Sequence, residues 1–254
     1  MSNYLTDLLA AILFLGLAGC ASRQAETERT VDREKLASAN TKLAFQYMRD
    51  KEYEIALKKL EKALSADPNY VDAHNAMGLL NSQLGRFDDA ERSFKKALRL
   101  DADNSSTLNN YGQFLCQRGR YEEGKARFLE AVANPLYKRP ALALSNAGTC
   151  AMDAGHIDVA ETHFRTALEK EERLAPALIQ MADISLRLER HLAARGYLQR
   201  YQEVAPHTAK SLWLGIRIER LLDDRDVVSS YALLLEKGYP DSNELRQYLE
   251  SKGQ

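Results

Sequence analysis

The segment from Gly119 to Ala126 is the part of the chain that comes nearest to a phosphate-binding motif. It reads GRYEEGKA, so an alanine stands where the motif needs a magnesium-binding hydroxyl, and two glutamates stand where phosphate would lie. The five histidines show no metal-ligand spacing with cysteines or acids, and no nucleophile elbow or zinc-protease pattern is present. The sequence therefore predicts no enzyme and no nucleotide, metal or other cofactor site.

Cys20 is the first cysteine whose surrounding sequence predicts a covalent modification. An uncharged apolar run, LLAAILFLGLAG, ends immediately before it and is shorter than the roughly 20 residues that a membrane-spanning helix needs. Its length fits a secretory signal peptide. The sequence LAGC that ends at Cys20 resembles the lipobox of bacterial lipoproteins, which implies removal of residues 1–19 and lipidation of Cys20 through a thioether and an N-acyl chain. An apolar leader with a chance cysteine is the alternative.

Residues 20–36 are predicted to be a lipidated N-terminus followed by a flexible tether. Residues 21–36 contain eight charged residues and no aromatic residue, Gly or Pro, so burial cannot order them. Ala21, rather than Asp, follows the cysteine, and the resemblance to lipoproteins then implies sorting to the outer membrane, facing the periplasm. Residues 1–7 lack the Lys or Arg that signal peptides usually carry.

The overall composition indicates a folded protein without a broad nucleic-acid surface. Lys and Arg number 35 against 36 Asp and Glu, for a formal net charge of -1. Such a balance excludes a broadly electrostatic nucleic-acid binder. Hydrophobic residues make up 45% of the chain, which is ordinary for a soluble core.

The rest of the chain is built from segments of 34 residues. Small residues recur in one column at Ala44, Gly78, Gly112 and Gly148, and large apolar residues recur in another at Leu60, Phe94, Phe128 and Phe164. A small residue at a helix crossing lets two backbones approach closely, with a bulky one filling the groove beside it. The pattern resembles the tetratricopeptide repeat. The resemblance implies an all-α, right-handed superhelical solenoid over 37–254, with six repeats near 37–70, 71–104, 105–140, 141–174, 175–208 and 209–242 and a cap at 243–254.

In this repeat family the first helix of each repeat lines a concave groove that binds a partner. The residues expected there include Phe45, Met48, Asn75, Leu79, Asn109 and Gln113, and further along Asp183, Trp213 and Arg217. Apolar residues at the N-terminal end favour an apolar or amphipathic peptide. Some proteins of this family bind the C-terminal carboxylate of a partner with paired Lys and Asn residues on this face. The Lys residues for such a clamp are absent here, so this kind of binding is not expected. Packing between repeats is the alternative role for Phe45, Met48 and Leu79.

Cys116 and Cys150 lie on the first helices of consecutive repeats, 34 residues apart. Because adjacent first helices stack side by side and secreted proteins meet an oxidising compartment, we expect a disulfide between them. Cys150 stands two positions off the register of Cys116, so strain could prevent the bond. Two buried free thiols are the alternative.

Segments in the third and last repeats carry a closer resemblance. LNNYGQFLC at 108–116, RYEEGKA at 120–126, NPLY at 134–137 and SLWLGIR at 211–217 closely resemble the PilW/PilF family of type IV pilus lipoproteins. This implies a pilotin, an outer-membrane lipoprotein that binds the pilus secretin and helps it reach the membrane, multimerise or stay stable. No nucleic-acid or small-molecule partner is expected. The alternative with the same fold is a general periplasmic adaptor lipoprotein for outer-membrane proteins or cell-wall machinery.

Overall fold

The computed structural model of the chain describes residues 31–252, and every structural statement below concerns that part. The predicted signal peptide and Cys20 lie outside the described residues. The described part contains helices and no strand. Helix α1 covers residues 31–49, and the others follow as α2 (Tyr53–Ala66), α3 (Val71–Gln83), α4 (Phe87–Leu100), α5 (Ser105–Gln117), α6 (Tyr121–Ala133), α7 (Pro140–Asp153), α8 (Ile157–Lys170), α9 (Ala175–Arg187), α10 (His191–Gln202), α11 (Ala209–Leu221), α12 (Arg225–Gly238) and α13 (Asn243–Glu250).

The expected all-α repeat fold is confirmed. Helices α1 to α12 form six consecutive pairs, and from the second pair on each pair begins within one residue of the start expected from the 34-residue period. The one difference is α7, which begins at Pro140, one residue early, because proline is favoured in the first turn of a helix. Helix α13 follows the sixth pair.

Residues 31–36, assigned above to a tether, belong instead to α1. All six side chains are exposed, so no burial holds this turn in place. Its residues include good helix formers and no Gly or Pro, and Lys35 lies 3.9 Å from Asp32 one turn earlier. Local helix propensity and continuity with the packed part of α1 therefore extend the helix beyond the repeat.

The chain divides into two compact units, which meet in sequence between Thr107 and Leu108. In unit 1, Ala44, Leu60 and Leu80 are fully buried in one core cluster. In unit 2, the largest cluster includes Phe164 and Ile184, which are also fully buried. A smaller cluster joins the last repeat to the capping helix.

Three glycine–phenylalanine pairs set how closely the two helices of a repeat approach. A Cβ added at Gly78 would lie 2.7 Å from the ring of Phe94, one at Gly112 would lie 2.9 Å from Phe128, and one at Gly148 would lie 2.8 Å from Phe164. These distances are too short for carbon contacts, and all three rings are buried. The columns of small and large residues in the sequence are therefore partners in a tight helix crossing.

The turns inside the repeats share one backbone conformation. A positive φ occurs once in each of the six turns, at Lys51, Gly85, Gly119, Gly155, Glu189 and Asp223. At Gly119 the next amide, that of Arg120, donates to the carbonyl of Leu115, which closes the end of α5. Glycine tolerates this left-handed conformation without strain.

Candidate partner-binding surfaces

Phe45 and Leu79 form the apolar candidate surface of unit 1. They are 34 residues apart and so occupy equivalent positions on α1 and α3, the first helices of the first two repeats. Both are half-buried, and both pack against the core cluster of unit 1. The pair can therefore present part of its apolar surface to a partner while its other side is held by the core.

Met48 and Asn75, expected in the same groove, are buried. Met48 is 8% exposed and belongs to the core cluster, whereas Asn75 is 4% exposed. Asn75 also has interactions of its own within the chain. These two side chains are enclosed by their own repeats and offer little surface to a partner. For Met48, the packing role named above as the alternative describes the structure better.

In unit 2 the two expected groove residues separate. Gln113 is exposed on α5. Asn109 is 5% exposed, and its carbonyl oxygen accepts a 2.9 Å hydrogen bond from the side-chain amide of Asn146 on α7. Asn109 therefore joins the first helices of the third and fourth repeats, and Gln113 is the one of the pair that a partner can reach.

Cys116 and Cys150 are brought together between α5 and α7. Their Cα atoms are 5.6 Å apart, and their sulfur atoms face each other. This Cα separation falls within the range of protein disulfides, so the two-position offset does not keep the backbones apart. Both cysteines are buried, next to Phe128 and Ala147. The geometry is compatible with the expected disulfide.

The phosphate-motif-like segment has a structural role in the third repeat. Gly119 lies in the turn after a helix, not after a strand, and Gly124 lies inside α6. A Cβ at Gly124 would lie 2.3 Å from the sulfur of Cys116 and 2.8 Å from the carbonyl oxygen of Gly112. The other repeats up to the fifth have alanine at this position, so the glycine makes room for the cysteine.

Asp183 of α9 is the centre of an ion-pair group in unit 2. It is 8% exposed. Arg187, one turn later, approaches it at 2.7 Å, and Arg217 of α11 approaches its other oxygen at 4.0 Å. The side chains of these arginines are 53% and 42% exposed. The buried carboxylate thus accepts a hydrogen bond from Arg187 and has Arg217 within ion-pair distance.

Trp213, Arg220 and Tyr248 form an adjoining aromatic group. The rings of Trp213 and Tyr248 meet edge to face at 6.4 Å. The guanidinium of Arg220 lies 5.9 Å from the first ring centre and 5.3 Å from the second, and it donates a 2.8 Å hydrogen bond to the hydroxyl of Ser251. Residues 213, 217 and 220 share one face of α11 because they follow the helical repeat.

The sequence predicted some of the residues of the Asp183 ion-pair group and of the aromatic group beside it. The repeat register identified Asp183, Trp213 and Arg217, but it did not identify Arg187, Arg220 or Tyr248. The spacing of four residues from Asp183 to Arg187 was a usable signal of an ion pair. No sequence signal indicates the contact of Arg220 with Tyr248, because it depends on how α13 packs on α11.

Residues 31–252 show neither a metal-binding cluster nor a membrane-spanning helix. Within 31–252 no three His, Cys, Asp or Glu side chains are grouped so that they could hold a metal ion. In the same range no helix combines the length and apolar character needed to cross a membrane.

The chain is similar to a known repeat family and to a known pilus assembly protein. Models of the tetratricopeptide repeat match residues 35–103 and 82–135. The type IV pilus assembly protein PilF of Pseudomonas aeruginosa strain PAO1 is 32% identical over 248 residues, covering 96% of this chain and 98% of PilF.

Two solved structures of pilus proteins are similar to this chain. A structure of Pseudomonas aeruginosa PilF has a TM-score of 0.77 and 31% identity, covering 87% of this chain and 99% of that one. The crystal structure of PilW, described as a widely conserved type IV pilus biogenesis factor, has a TM-score of 0.75 and 31% identity, covering 84% of this chain and 98% of that one. With repeat matches in the first three repeats and one-third identity over nearly its whole length, the chain belongs to the PilF/PilW family of tetratricopeptide repeat proteins.

Proposed function

We propose that the protein is a pilotin of the type IV pilus machinery, a lipoprotein of the outer membrane that binds the secretin and promotes its localisation or multimerisation. The observation that carries the proposal is the 32% identity to a type IV pilus assembly protein over 96% of this chain. That match supports a role in pilus assembly. Binding of the secretin and location in the outer membrane go beyond the match and are part of the proposal.

The sequence around Cys20 supports membrane attachment. The lipobox-like LAGC and the alanine that follows it suit a lipoprotein of the outer membrane. Several acyl chains on one cysteine anchor a protein firmly, at about 0.8 kcal/mol per buried methylene. Lipidation would concentrate the repeat units at the bilayer in which the secretin must assemble, and this local concentration strengthens a modest protein contact.

The surface of Phe45 and Leu79 supports binding of an apolar or amphipathic peptide segment. Two half-buried apolar side chains at equivalent positions of adjacent first helices can receive apolar side chains from one segment. Since each is held by the core, ordering them on binding costs less side-chain entropy than ordering free side chains would.

The proposal is tested with the double variant Phe45→Ala and Leu79→Ala in the bacterium that encodes the protein. We expect loss of the heat-stable secretin multimer in membrane fractions and fewer surface pili, with the variant protein still present. Alanine removes the apolar contact without placing a charge against the core. Circular dichroism and urea unfolding of the purified variant establish that it remains folded.

Ile55→Ala is the matched control, because Ile55 is an exposed apolar side chain on α2 of the same unit. It should leave multimers and pili unchanged. A folded double variant with normal multimers and pili would contradict the role of this surface. If deletion of the gene leaves the secretin unchanged but alters many envelope proteins, the general adaptor is favoured. The variant Cys20→Ser tests the lipid anchor separately, by showing which membrane fraction contains the protein.

A further inference from the structure

The last two repeats and α13 carry a second surface that the proposed pilus role does not use. We call it the basic-aromatic surface and define it as Asp183, Arg187, Trp213, Arg217, Arg220 and Tyr248. Its three guanidinium groups against one carboxylate leave a formal charge of +2, although the whole chain carries -1. It lies entirely within unit 2, whereas Phe45 and Leu79 lie in unit 1.

Two of the three guanidinium groups of this surface are held by hydrogen bonds before any ligand arrives. Arg187 donates to the buried carboxylate of Asp183 at 2.9 Å, and Arg217 lies 4.0 Å from the same carboxylate. Arg220 is fixed by two aromatic rings and by Ser251. A guanidinium has five N–H donors, so each keeps donors for a ligand after these contacts. Preorganisation of this kind lowers the entropic cost of binding.

At the Tyr248 end of the surface, one basic and one acidic side chain offset each other. Lys252 lies with its ammonium 4.5 Å above the ring of Tyr248 and 3.5 Å from Glu236. A hydrogen bond with Tyr248 raises the pKa of Lys252 above its usual value, so this group is charged at neutral pH and balances the glutamate. The net positive charge of the surface therefore comes from Arg187, Arg217 and Arg220.

The chemistry of the surface selects the kind of ligand. An arginine fork matches the two oxygens of a carboxylate, and Trp213 offers an aromatic surface for an apolar side chain. Arginine and tryptophan together are typical of the central residues of protein interfaces. Attraction to an anionic lipid surface usually takes four to eight flexible basic residues, more than are present here.

We propose that the basic-aromatic surface binds an acidic peptide segment of a protein partner, with carboxylates on Arg217 and Arg220 and an apolar side chain against Trp213. This site is additional to the apolar surface of unit 1, and its existence does not depend on the pilotin role.

The chain offers a direct probe, because Trp213 is its single tryptophan. The detergent-solubilised full chain is titrated with a fluorescein-labelled peptide of alternating glutamate and alanine around a central phenylalanine. The control peptide has glutamine in place of every glutamate. Fluorescence anisotropy gives the affinity, and Trp213 emission, recorded with unlabelled peptide, shows that this surface is occupied.

We expect the glutamate peptide to bind and to change the emission of Trp213, and binding to weaken as added salt shortens the screening length. Arg217→Gln and Arg220→Gln should each weaken it about 10-fold or more, since each removes a charge-assisted hydrogen bond. Arg225→Gln is the matched control, because its side chain is 90% exposed on α12, and it should change the affinity less than about 2-fold.

Each other result overturns the proposal. Equal binding of the two peptides would mean that carboxylates are not recognised, and absence of binding would mean that there is no site. A response of Trp213 to phosphatidylglycerol vesicles and not to the glutamate peptide would assign the surface to a lipid headgroup instead. If Arg220→Gln unfolds the chain, Arg217→Gln still decides, because Arg187 continues to neutralise Asp183.

Discussion

The disulfide expected between Cys116 and Cys150 predicts that its reduction costs unit 2 a large part of its stability. The two cysteines are 34 residues apart in sequence. In the chain-entropy model, a closed loop of this size lowers the entropy of the unfolded chain by an amount worth about 4 kcal/mol at 25 °C. Reduced thiols would still fit the same buried site as small apolar groups, so little packing is lost and the entropic effect dominates.

The assay is urea unfolding followed by the fluorescence of Trp213, which lies in the same unit as the two cysteines. Because buried cysteines resist reductant, the chain is unfolded in urea, reduced, and refolded with reductant present. With a urea slope of roughly 2 kcal/mol per molar, a loss of about 4 kcal/mol lowers the midpoint by about 2 M. The double variant Cys116→Ala and Cys150→Ala is the control, and reductant should not change its midpoint.

Two results would refute this reasoning. One is a midpoint that is the same in the oxidised and the reduced chain. The other is alkylation of Cys116 and Cys150 without prior reduction, detected by peptide mass mapping, which would identify them as two free thiols.

Two further predictions concern stability. Gly124→Ala should lower the unfolding free energy by about 1–3 kcal/mol, because its Cβ would overlap the sulfur of Cys116 at 2.3 Å. Gly196→Ala on α10 has no atom within 4 Å of its added Cβ and should raise the unfolding free energy by up to about 1 kcal/mol. Shifts of the urea midpoint that are equal in size and sign for the two variants would contradict this. Burial lowers the pKa of His163, so the unfolded chain binds more protons, and stability falls as the pH drops below about 6.5. His163→Gln should make this fall in melting temperature shallower, and an unchanged pH profile would count against it.

Several features of this protein could be predicted from the sequence alone because they depend on local, periodic physics. The 34-residue period located the helix pairs from the second onward to within one residue, since the small and large columns mark where helices must cross. The same period placed Cys116 and Cys150 on neighbouring first helices, where the structure brings their Cα atoms to 5.6 Å. Family membership followed from segments such as that at 108–116.

Other features were decided by the tertiary structure. Periodicity places a residue on the inner helix of a repeat, but it does not say whether a neighbouring helix covers it. Met48 and Asn109 thus became buried, whereas Gln113 stayed exposed. The predicted end of the tether at residue 36 was also wrong, because helix propensity extends α1 back to residue 31, beyond the packed residues.

The basic-aromatic surface is the clearest case of this division. The sequence determined that Trp213 and Arg217 share a face of α11, since helical spacing is a property of one segment. That Asp183 reaches Arg217 and that Arg220 lies against Tyr248 was decided only by the packing of α9 and α13 on α11. Contacts between distant segments depend on which helices pack together, and that choice is made by the energy of the whole core rather than by any local pattern.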